Sequence, residues 1–202
     1  MNAYRSTHYT IMTDKTPHKL HFGKRHEIIV VLLLVLCTIL NMKPVFAEDI
    51  SEYKVKAAFV SNFALLTKWP QKAFASDSSP IKLCVLGDKS LMQAFASLDG
   101  KIIGKLPLQL TTTPPQNTKT HCHIVFFGKD IDTKTVLRTL NNVSATPVLT
   151  IGEKETFIAI GGVIRFFMEK ERLKFEINPA AAQKQDLQLS SRLLKIAKIT
   201  GN

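Results

Sequence analysis

Short apolar segments alternate with amphipathic stretches of about ten residues along the chain, and this alternation constrains the fold more than any other feature. The apolar segments span residues 81–86, 106–112, 121–127 and 147–151. Strands that alternate with helices of this length form βαβ units, which lie parallel in one sheet with helices on its faces. The sequence therefore predicts an α/β fold, a three-layer Rossmann-like or flavodoxin-like sandwich with a mostly parallel sheet.

Residues 163–177 predict an antiparallel hairpin at the C-terminal end of this sheet. Residues 163–168 are almost continuously apolar, as in a strand covered on both faces, and the charged residues 169–171 predict a turn. Leu173, Phe175 and Ile177 then alternate with charged residues that we expect to face solvent, namely Arg172, Lys174 and Glu176. Asn178 is a good N-cap and Pro179 suits a first helical position, so a helix is expected to begin there.

Residues 51–69 predict an amphipathic helix that Pro70 would end. Its apolar stripe, at three- and four-residue spacing, consists of Val55, Phe59, Phe63, Leu66 and Trp69. We interpret this stripe as part of the core, and a face for a cofactor or a partner is the alternative.

The N-terminal region has the features of a secretory signal. Residues 28–40 form an unbroken apolar run, shorter than the roughly 20 residues that span a bilayer. Lys24 and Arg25 precede this run, and Val45 and Ala47 fit a cleavage site. We therefore predict a cleavable signal peptide over residues 1–47, export to the periplasm, and a single α/β domain over residues 48–202. An uncleaved anchor is the alternative.

The chain is basic, with 27 Lys and Arg residues against 16 Asp and Glu residues and a net charge of +11. These basic residues are scattered, and no basic run is interleaved with aromatic residues, so the pattern argues against nucleic acid binding. A solvated basic surface is the simplest interpretation. Attraction to an anionic membrane surface or to an acidic partner is the alternative.

Removal of the leader would leave two cysteines, Cys84 and Cys122. An even number of cysteines in an exported protein suggests a disulfide. The bond requires that the strands carrying Cys84 and Cys122, or the ends of those strands, lie next to each other. A pair of buried free thiols is the alternative.

His121, Cys122 and His123 are the most suggestive metal ligands in the sequence. Successive residues of a strand face opposite ways, so both histidines would lie on the face away from Cys122. No second cysteine or carboxylate cluster in the neighbouring sequence completes a tetrahedral site. We therefore expect no metal site.

The sequence carries no recognisable cofactor or catalytic motif. It has neither a dinucleotide-binding glycine pattern nor a phosphate-binding loop. Ser190 and Ser191 lack the flanking glycines of a nucleophile elbow, and Ser190 is expected to cap a helix. Glu153 and Glu155 are candidates for an acid/base pair, but two carboxylates after a strand are common. We expect no cofactor and no catalytic residues.

Several separated segments together resemble the YfiR/HmsC-like periplasmic proteins. They are YKVKAAFVSNFALLTKWP at 53–70, the strand that carries Cys84, HCHI at 121–124, VLTIGE at 148–153, GGVI at 161–164, FEIN at 175–178 and LQLSSRLLKIA at 187–197. The resemblance covers nearly all of the chain after the leader. It lies in the order of these segments, since no single one of them would suffice.

The resemblance implies a non-enzymatic periplasmic regulator that represses a membrane-bound diguanylate cyclase. Such a regulator binds the periplasmic sensory domain of the cyclase and thereby limits cyclic di-GMP and biofilm formation. The resemblance also implies a homodimer and a structural disulfide between Cys84 and Cys122. This sequence lacks the second cysteine pair of some members, since residues 153–162 contain no cysteine. A simpler redox response, or none, is therefore expected.

A periplasmic small-ligand sensor or binding protein that acts with another membrane receptor is the alternative function. An α/β domain offers a crevice at the carboxyl ends of its strands, and a small molecule bound there would also modulate a partner. The residues expected to line the crevice are Asp88, Gly128, Glu153 and Arg192. The candidate ligand- or partner-binding residues are Glu153, Asn178, Ser190 and Arg192.

Overall fold

The computed structural model describes the backbone of residues 23–40, 45–111 and 122–201. The chain divides into two units, Met1–Pro44 and Val45–Asn202. The first unit contains helix α1 (Gly23–Leu40), whose side chains at 28–36 are exposed. Among the described residues, no helix has both the length and the apolar character needed to cross a membrane. The signal peptide over residues 1–47 stays a prediction.

The second unit contains five helices and ten strands among its described residues. The helices are α2 (Val45–Leu65), α3 (Lys89–Phe95), α4 (Thr133–Val143), α5 (Pro179–Lys184) and α6 (Ser191–Ile196), with short 3-10 turns at Gln71–Ala73 and Ala96–Leu98. The strands are β1 (Thr67–Lys68), β2 (Ile81–Leu86), β3 (Ile102–Ile103), β4 (Leu106–Thr111), β5 (Ile124–Phe127), β6 (Leu149–Gly152), β7 (Ile164–Glu169), β8 (Arg172–Ile177), β9 (Gln188–Leu189) and β10 (Lys198–Ile199).

Eight of these strands form one sheet, in the order β10-β8-β7-β6-β5-β2-β4-β3. Strands β4, β2, β5, β6 and β7 are mutually parallel, whereas β3 and β8 run antiparallel to their neighbours β4 and β7. Numbered among themselves, the parallel strands follow the flavodoxin-like order 2-1-3-4-5. The predicted mostly parallel sheet with a C-terminal antiparallel hairpin is confirmed.

The sheet is covered on both faces, which explains why its central strands are apolar at almost every position. Leu83, Ile124 and Ile151 point into a first core that also contains buried residues of α2, α3, α5 and α6. Val125 and Phe127 point the other way, into a second core that contains the buried side of α4. The three layers of the predicted sandwich are therefore present.

Helix α2 differs from the prediction in its end and in its buried face. It ends at Leu65 because Thr67 and Lys68 leave the helix to pair with β9, and the predicted end near Trp69 is wrong. Val55, assigned to the core stripe, is 46% exposed, whereas Lys56 is only 4% exposed. The side chains of α2 that are fully packed in the first core are Tyr53, Ala57, Val60, Phe63 and Ala64.

The hairpin and the helix after it have the predicted local structure. Lys170 and Glu171 both have positive φ angles, 51° and 60°, as a two-residue turn between twisted antiparallel strands requires. Strand β8 ends at Ile177, and the side-chain oxygen of Asn178 accepts a hydrogen bond from the Ala181 amide at 3.0 Å. Asn178 is therefore the N-cap of α5, with Pro179 at its first position.

A small antiparallel ribbon joins the end of α2 to the C-terminal region. Thr67 pairs with Leu189 and Lys68 with Gln188. The Ser190 amide extends this ribbon by donating to the Leu66 carbonyl at 2.9 Å. The ribbon lies outside the main sheet and brings together two segments that are far apart in the sequence.

Candidate functional site

The disulfide between Cys84 and Cys122 is present, with 5.9 Å between the two Cα atoms. Cys84 lies in β2, and Cys122 lies two residues before β5 and not within that strand as predicted. The bond is geometrically suitable because β2 and β5 are neighbours in the sheet. Both cysteines are buried in the second core, so the bond covalently links β2 to the segment just before β5.

His123 is a buried structural residue. Its Nδ1 accepts a hydrogen bond from the Lys82 amide at 3.0 Å, and its Nε2 lies 2.9 Å from the Ala73 carbonyl, to which it donates. Its ring also stacks on Phe74 with 4.5 Å between the ring centres. Both ring nitrogens are thus occupied. His121 lies outside the described residues, and those described contain no group of three potential metal ligands.

Three of the four residues predicted to line a crevice follow the carboxyl ends of neighbouring strands. Asp88 comes after β2, Gly128 after β5 and Glu153 after β6, and these strands are adjacent in the order β6-β5-β2. Arg192 lies instead on α6, where it is exposed. The carboxyl edge of the sheet therefore brings the first three residues to one side of the molecule but leaves Arg192 on a separate element.

Glu153 forms a buried ion pair with Lys56 of α2. Each of the two side chains is only 5% exposed, and Lys56 also pairs with Glu52, one turn earlier in α2. The second oxygen of Glu153 accepts a hydrogen bond from the Lys129 amide at 2.9 Å. Burial raises the pKa of Glu153 above its ordinary value, and the positive charge of Lys56 partly opposes that rise. This pair ties α2 to the segment after β6.

The segment after β6 also packs against the sheet through Phe157. A Cβ atom added at Gly152 would lie 2.5 Å from the Phe157 ring, and one at Gly162 would lie 2.2 Å from it. These two glycines therefore leave the space that the buried ring fills in the second core. Glu155, considered with Glu153 as an acid/base pair, is exposed and has a different environment.

The remaining candidate residues have clear local structural roles. Asn178 caps α5, and Ser190 caps α6 through a hydrogen bond from the Leu193 amide at 3.4 Å. Within the described part of the chain, Glu153, Asn178, Ser190 and Arg192 make no hydrogen bond or ion pair with one another. Their involvement in binding a ligand or a partner stays a prediction.

A buried ion pair lies on the sheet face opposite α2. The alternation of apolar and charged residues in β8 did not indicate it. Arg165 Nε lies 2.5 Å from Glu176 Oε1, and Lys198 Nζ lies 3.6 Å from the other carboxylate oxygen. Glu176 is 5% exposed, so the prediction that it faces solvent is wrong. Arg165 and Lys198 are also close to the Phe167 ring, at 5.2 and 5.7 Å from its centre. Only the pairing of β7, β8 and β10 brings these residues together.

The C-terminal edge, defined here as residues 192–199 of α6 and β10, is one part of the second unit where exposed apolar and basic residues adjoin. Ile196 is 68% exposed and Ile199 is 46% exposed. Arg192, Lys195 and Lys198 in the same segment are also exposed. Strand β10 pairs with β8 on one side and ends the strand order of the sheet on the other.

The comparisons with known proteins give one informative result. The sequence profile of the YfiR/HmsC-like family matches residues 53–198, from the buried face of α2 to β10. No curated protein matches the chain. The matched region contains the eight-stranded sheet except for Ile199 of β10, together with both cores and the disulfide. The chain belongs to the YfiR/HmsC-like family, whose members are periplasmic regulators of diguanylate cyclase signalling and not enzymes.

Proposed function

We propose that this protein is a non-enzymatic periplasmic repressor that binds the periplasmic sensory domain of a membrane-bound diguanylate cyclase. Binding holds the cyclase inactive and so limits cyclic di-GMP and biofilm formation. The observation that carries this proposal is the family match over residues 53–198. The stapled sheet provides the rigid scaffold that such a protein needs in order to present a fixed surface.

The C-terminal edge is the surface that we assign to the cyclase. Exposed apolar residues with a rim of charge are typical of protein interfaces, where the apolar centre loses water and the rim stays hydrated. Ile196 and Ile199 supply the apolar centre, and Arg192, Lys195 and Lys198 supply a positive rim. The complementary surface of the sensory domain is therefore expected to be apolar with acidic residues around it.

The test is a pair of aspartate substitutions at the C-terminal edge, Ile196→Asp and Ile199→Asp, made together. A buried, unpaired carboxylate at an interface strongly opposes binding, whereas at an exposed position of the free protein it has little effect on folding. We expect cyclic di-GMP in cells that carry the double variant to rise to the level of cells without the protein.

Ile102→Asp is the matched control. Ile102 is 62% exposed and lies in β3, at the opposite end of the strand order. This variant should repress as the wild type does. Full repression by the double variant would reject the C-terminal edge as the binding surface. Unchanged cyclic di-GMP after deletion of the whole gene, under all growth conditions tested, would reject cyclase repression itself.

The homodimer implied by the resemblance is part of this proposal. Light scattering of the purified protein should give twice the mass of the monomer, and a monomer at micromolar concentration would contradict it. A role for the disulfide in redox control is expected to be weak, because residues 153–162 contain no second cysteine pair. A small-ligand sensor is the second candidate, and a depression at the carboxyl end of β2, lined also by α3 and α4, favours it.

A further inference from the structure

The order of the parallel strands reverses between β2 and β5, so the chain connections run towards opposite edges of the sheet from these two strands. From β2 the chain passes through α3 to β4 on one side, and from β5 it passes through α4 to β6 on the other. The buried residues of α3 lie in the first core and those of α4 lie in the second, so the two helices diverge to opposite faces. In open α/β sheets such a switch point leaves a crevice at the carboxyl ends of the two strands.

A depression of about 370 Å³ lies at this switch point. Its apolar walls are Val85 and Leu86 at the end of β2, Met92 of α3, and Ile131 in the segment before α4. Its polar contributions come from Gly87, Asp132 and Thr135. The volume is at the lower end of the range of small-molecule sites, and the mixture of apolar walls with few polar groups is typical of them.

Two glycines allow the backbone to pack closely beneath the depression. A Cβ atom on Gly128 would lie 3.3 Å from the Gly87 Cα atom and 2.9 Å from the Leu91 side chain. A Cβ atom on Gly87 would lie 2.2 Å from the same leucine. The Gly128 amide also donates to the Leu86 carbonyl at 2.8 Å, which keeps the two strand ends together.

The helix ends at the depression are unsuited to anions. Asp88 caps α3 by accepting from the Leu91 amide at 2.8 Å, and Asp132 caps α4 by accepting from the Thr135 amide at 2.9 Å. At each helix end, the protein's own carboxylate therefore occupies an amide that a phosphate or carboxylate ligand would use, and its negative charge repels such a ligand. Hydrogen bonds from Thr135 hold the pKa of Asp132 below its usual range, so its charge is retained near neutral pH. Lys89 and Lys134, in the first turns of α3 and α4, do not line the depression.

We propose that this depression binds a small amphiphilic cation, an organic amine with one apolar arm. The ammonium group pairs with Asp132 and reaches the Thr135 hydroxyl, while the apolar arm lies along Met92, Ile131 and Leu86. This binding function is separate from cyclase repression, and either function can fail without the other. A ligand here would contact both α3 and α4 and thus both layers of helices.

The probes are three molecules that share a phenyl arm and differ in charge, namely 2-phenylethylamine, 2-phenylethanol and phenylacetate. NMR titration of the purified protein should rank their affinities with the amine first, the alcohol second and the carboxylate last. Amide shifts should be largest at Gly87, Met92 and Thr135. Equal affinities, a preference for phenylacetate, or no binding of the amine at millimolar concentration would overturn the proposal.

Two matched substitutions distinguish a specific ion pair at Asp132 from a general effect of the protein's charge on binding of the amine. Asp132→Asn and Asp88→Asn each remove one charge and keep an N-cap that Asn can provide, but only Asp132 lines the depression. Asp132→Asn should weaken binding of the amine roughly threefold to fivefold, the upper part of the range of an exposed ion pair, and leave binding of the alcohol unchanged. Asp88→Asn should leave both unchanged. Equal weakening by the two substitutions would reject Asp132 as the cation's partner.

A substitution in the apolar wall provides an independent test. Met92 is half-buried, so Met92→Lys keeps an apolar stem and places a positive charge beside the cation. We expect at least a tenfold loss of affinity for the amine, whereas Met92→Leu should bind it as the wild type does. Undiminished binding by Met92→Lys would place the amine elsewhere. Circular dichroism checks that the variant is folded.

Discussion

The substitution Lys56→Met tests the buried ion pair between α2 and the segment after β6. Methionine matches the apolar stem of lysine, so the change chiefly removes the positive charge from a site where both partners are 5% exposed. Glu153 then stays buried with only the Lys129 amide as its remaining donor in the described structure. Breaking a buried pair in this way typically costs about 3–5 kcal/mol.

Glu153 can reduce this cost by taking up a proton. Its ordinary pKa is 4.5, so protonation at pH 7 spans about 2.5 pH units and costs about 3.4 kcal/mol, at about 1.36 kcal/mol per unit. The expected loss of unfolding free energy at pH 7 is therefore about 3 kcal/mol. At pH 5 the same protonation costs about 0.7 kcal/mol, and the loss should shrink accordingly.

The sign of this pH dependence follows from burial. Burial raises the pKa of Glu153 in the folded protein above its unfolded value, and the variant lacks Lys56, whose charge opposes that rise. The folded variant therefore binds the proton at a higher pH than the folded wild type does. The variant should gain stability relative to the wild type as the pH is lowered towards 4.5, and lose it again as the pH rises through the folded pKa. Urea denaturation at pH 5 and pH 7 measures both values.

Two further variants make the test decisive. Lys56→Met combined with Glu153→Gln removes both charges, keeps an acceptor for the Lys129 amide, and should lie within about 1 kcal/mol of the wild type. Lys174→Met removes an exposed pair with Glu169 and should leave the stability unchanged within error. An equal loss at both pH values, or no recovery in the double variant, would refute the reasoning.

Two other predictions concern the second core. Cys84→Ser and Cys122→Ser should each lower the unfolding free energy by about 4 kcal/mol, because the bond closes a loop with a sequence separation of 38. The double variant should lose no more than either single variant. Additive losses in urea denaturation would contradict a shared bond. Gly162→Ala should destabilise the protein by about 1–3 kcal/mol because its Cβ would overlap the Phe157 ring, and this penalty should fall when Phe157→Leu is also present. A penalty of the same size in both backgrounds, measured by thermal unfolding, would contradict the clash.

The main features of the sheet were predictable because they depend on local pattern. Continuous apolar runs identified the buried parallel strands, and alternation identified β8. The N-caps at Asn178 and Ser190 were also predictable, because a capping side chain bonds an amide only three residues away. Each of these signals lies within a few residues of the structure that it specifies.

Features that depend on distant pairing were missed. Lys56 was not recognised as buried because its partner Glu153 lies 97 residues away. The end of α2 was misplaced because the pairing of Thr67 and Lys68 with β9 cannot be read from the residues around Pro70. The burial of Glu176 depends in the same way on Arg165 and Lys198, which two other strands supply.

The ribbon of β1 and β9 has a consequence for the order in which the protein folds. It pairs Thr67 with Leu189, so its closure joins two points separated by most of the second unit. Contacts of such high sequence separation are slow to form because the loop between them must first be ordered. In a chain delivered N-terminus first, α2 emerges long before β9 can hold its end. The ribbon therefore forms late in folding and holds the end of α2 in place only once it has formed. A chain truncated before Gln188 would expose the end of α2 to proteases.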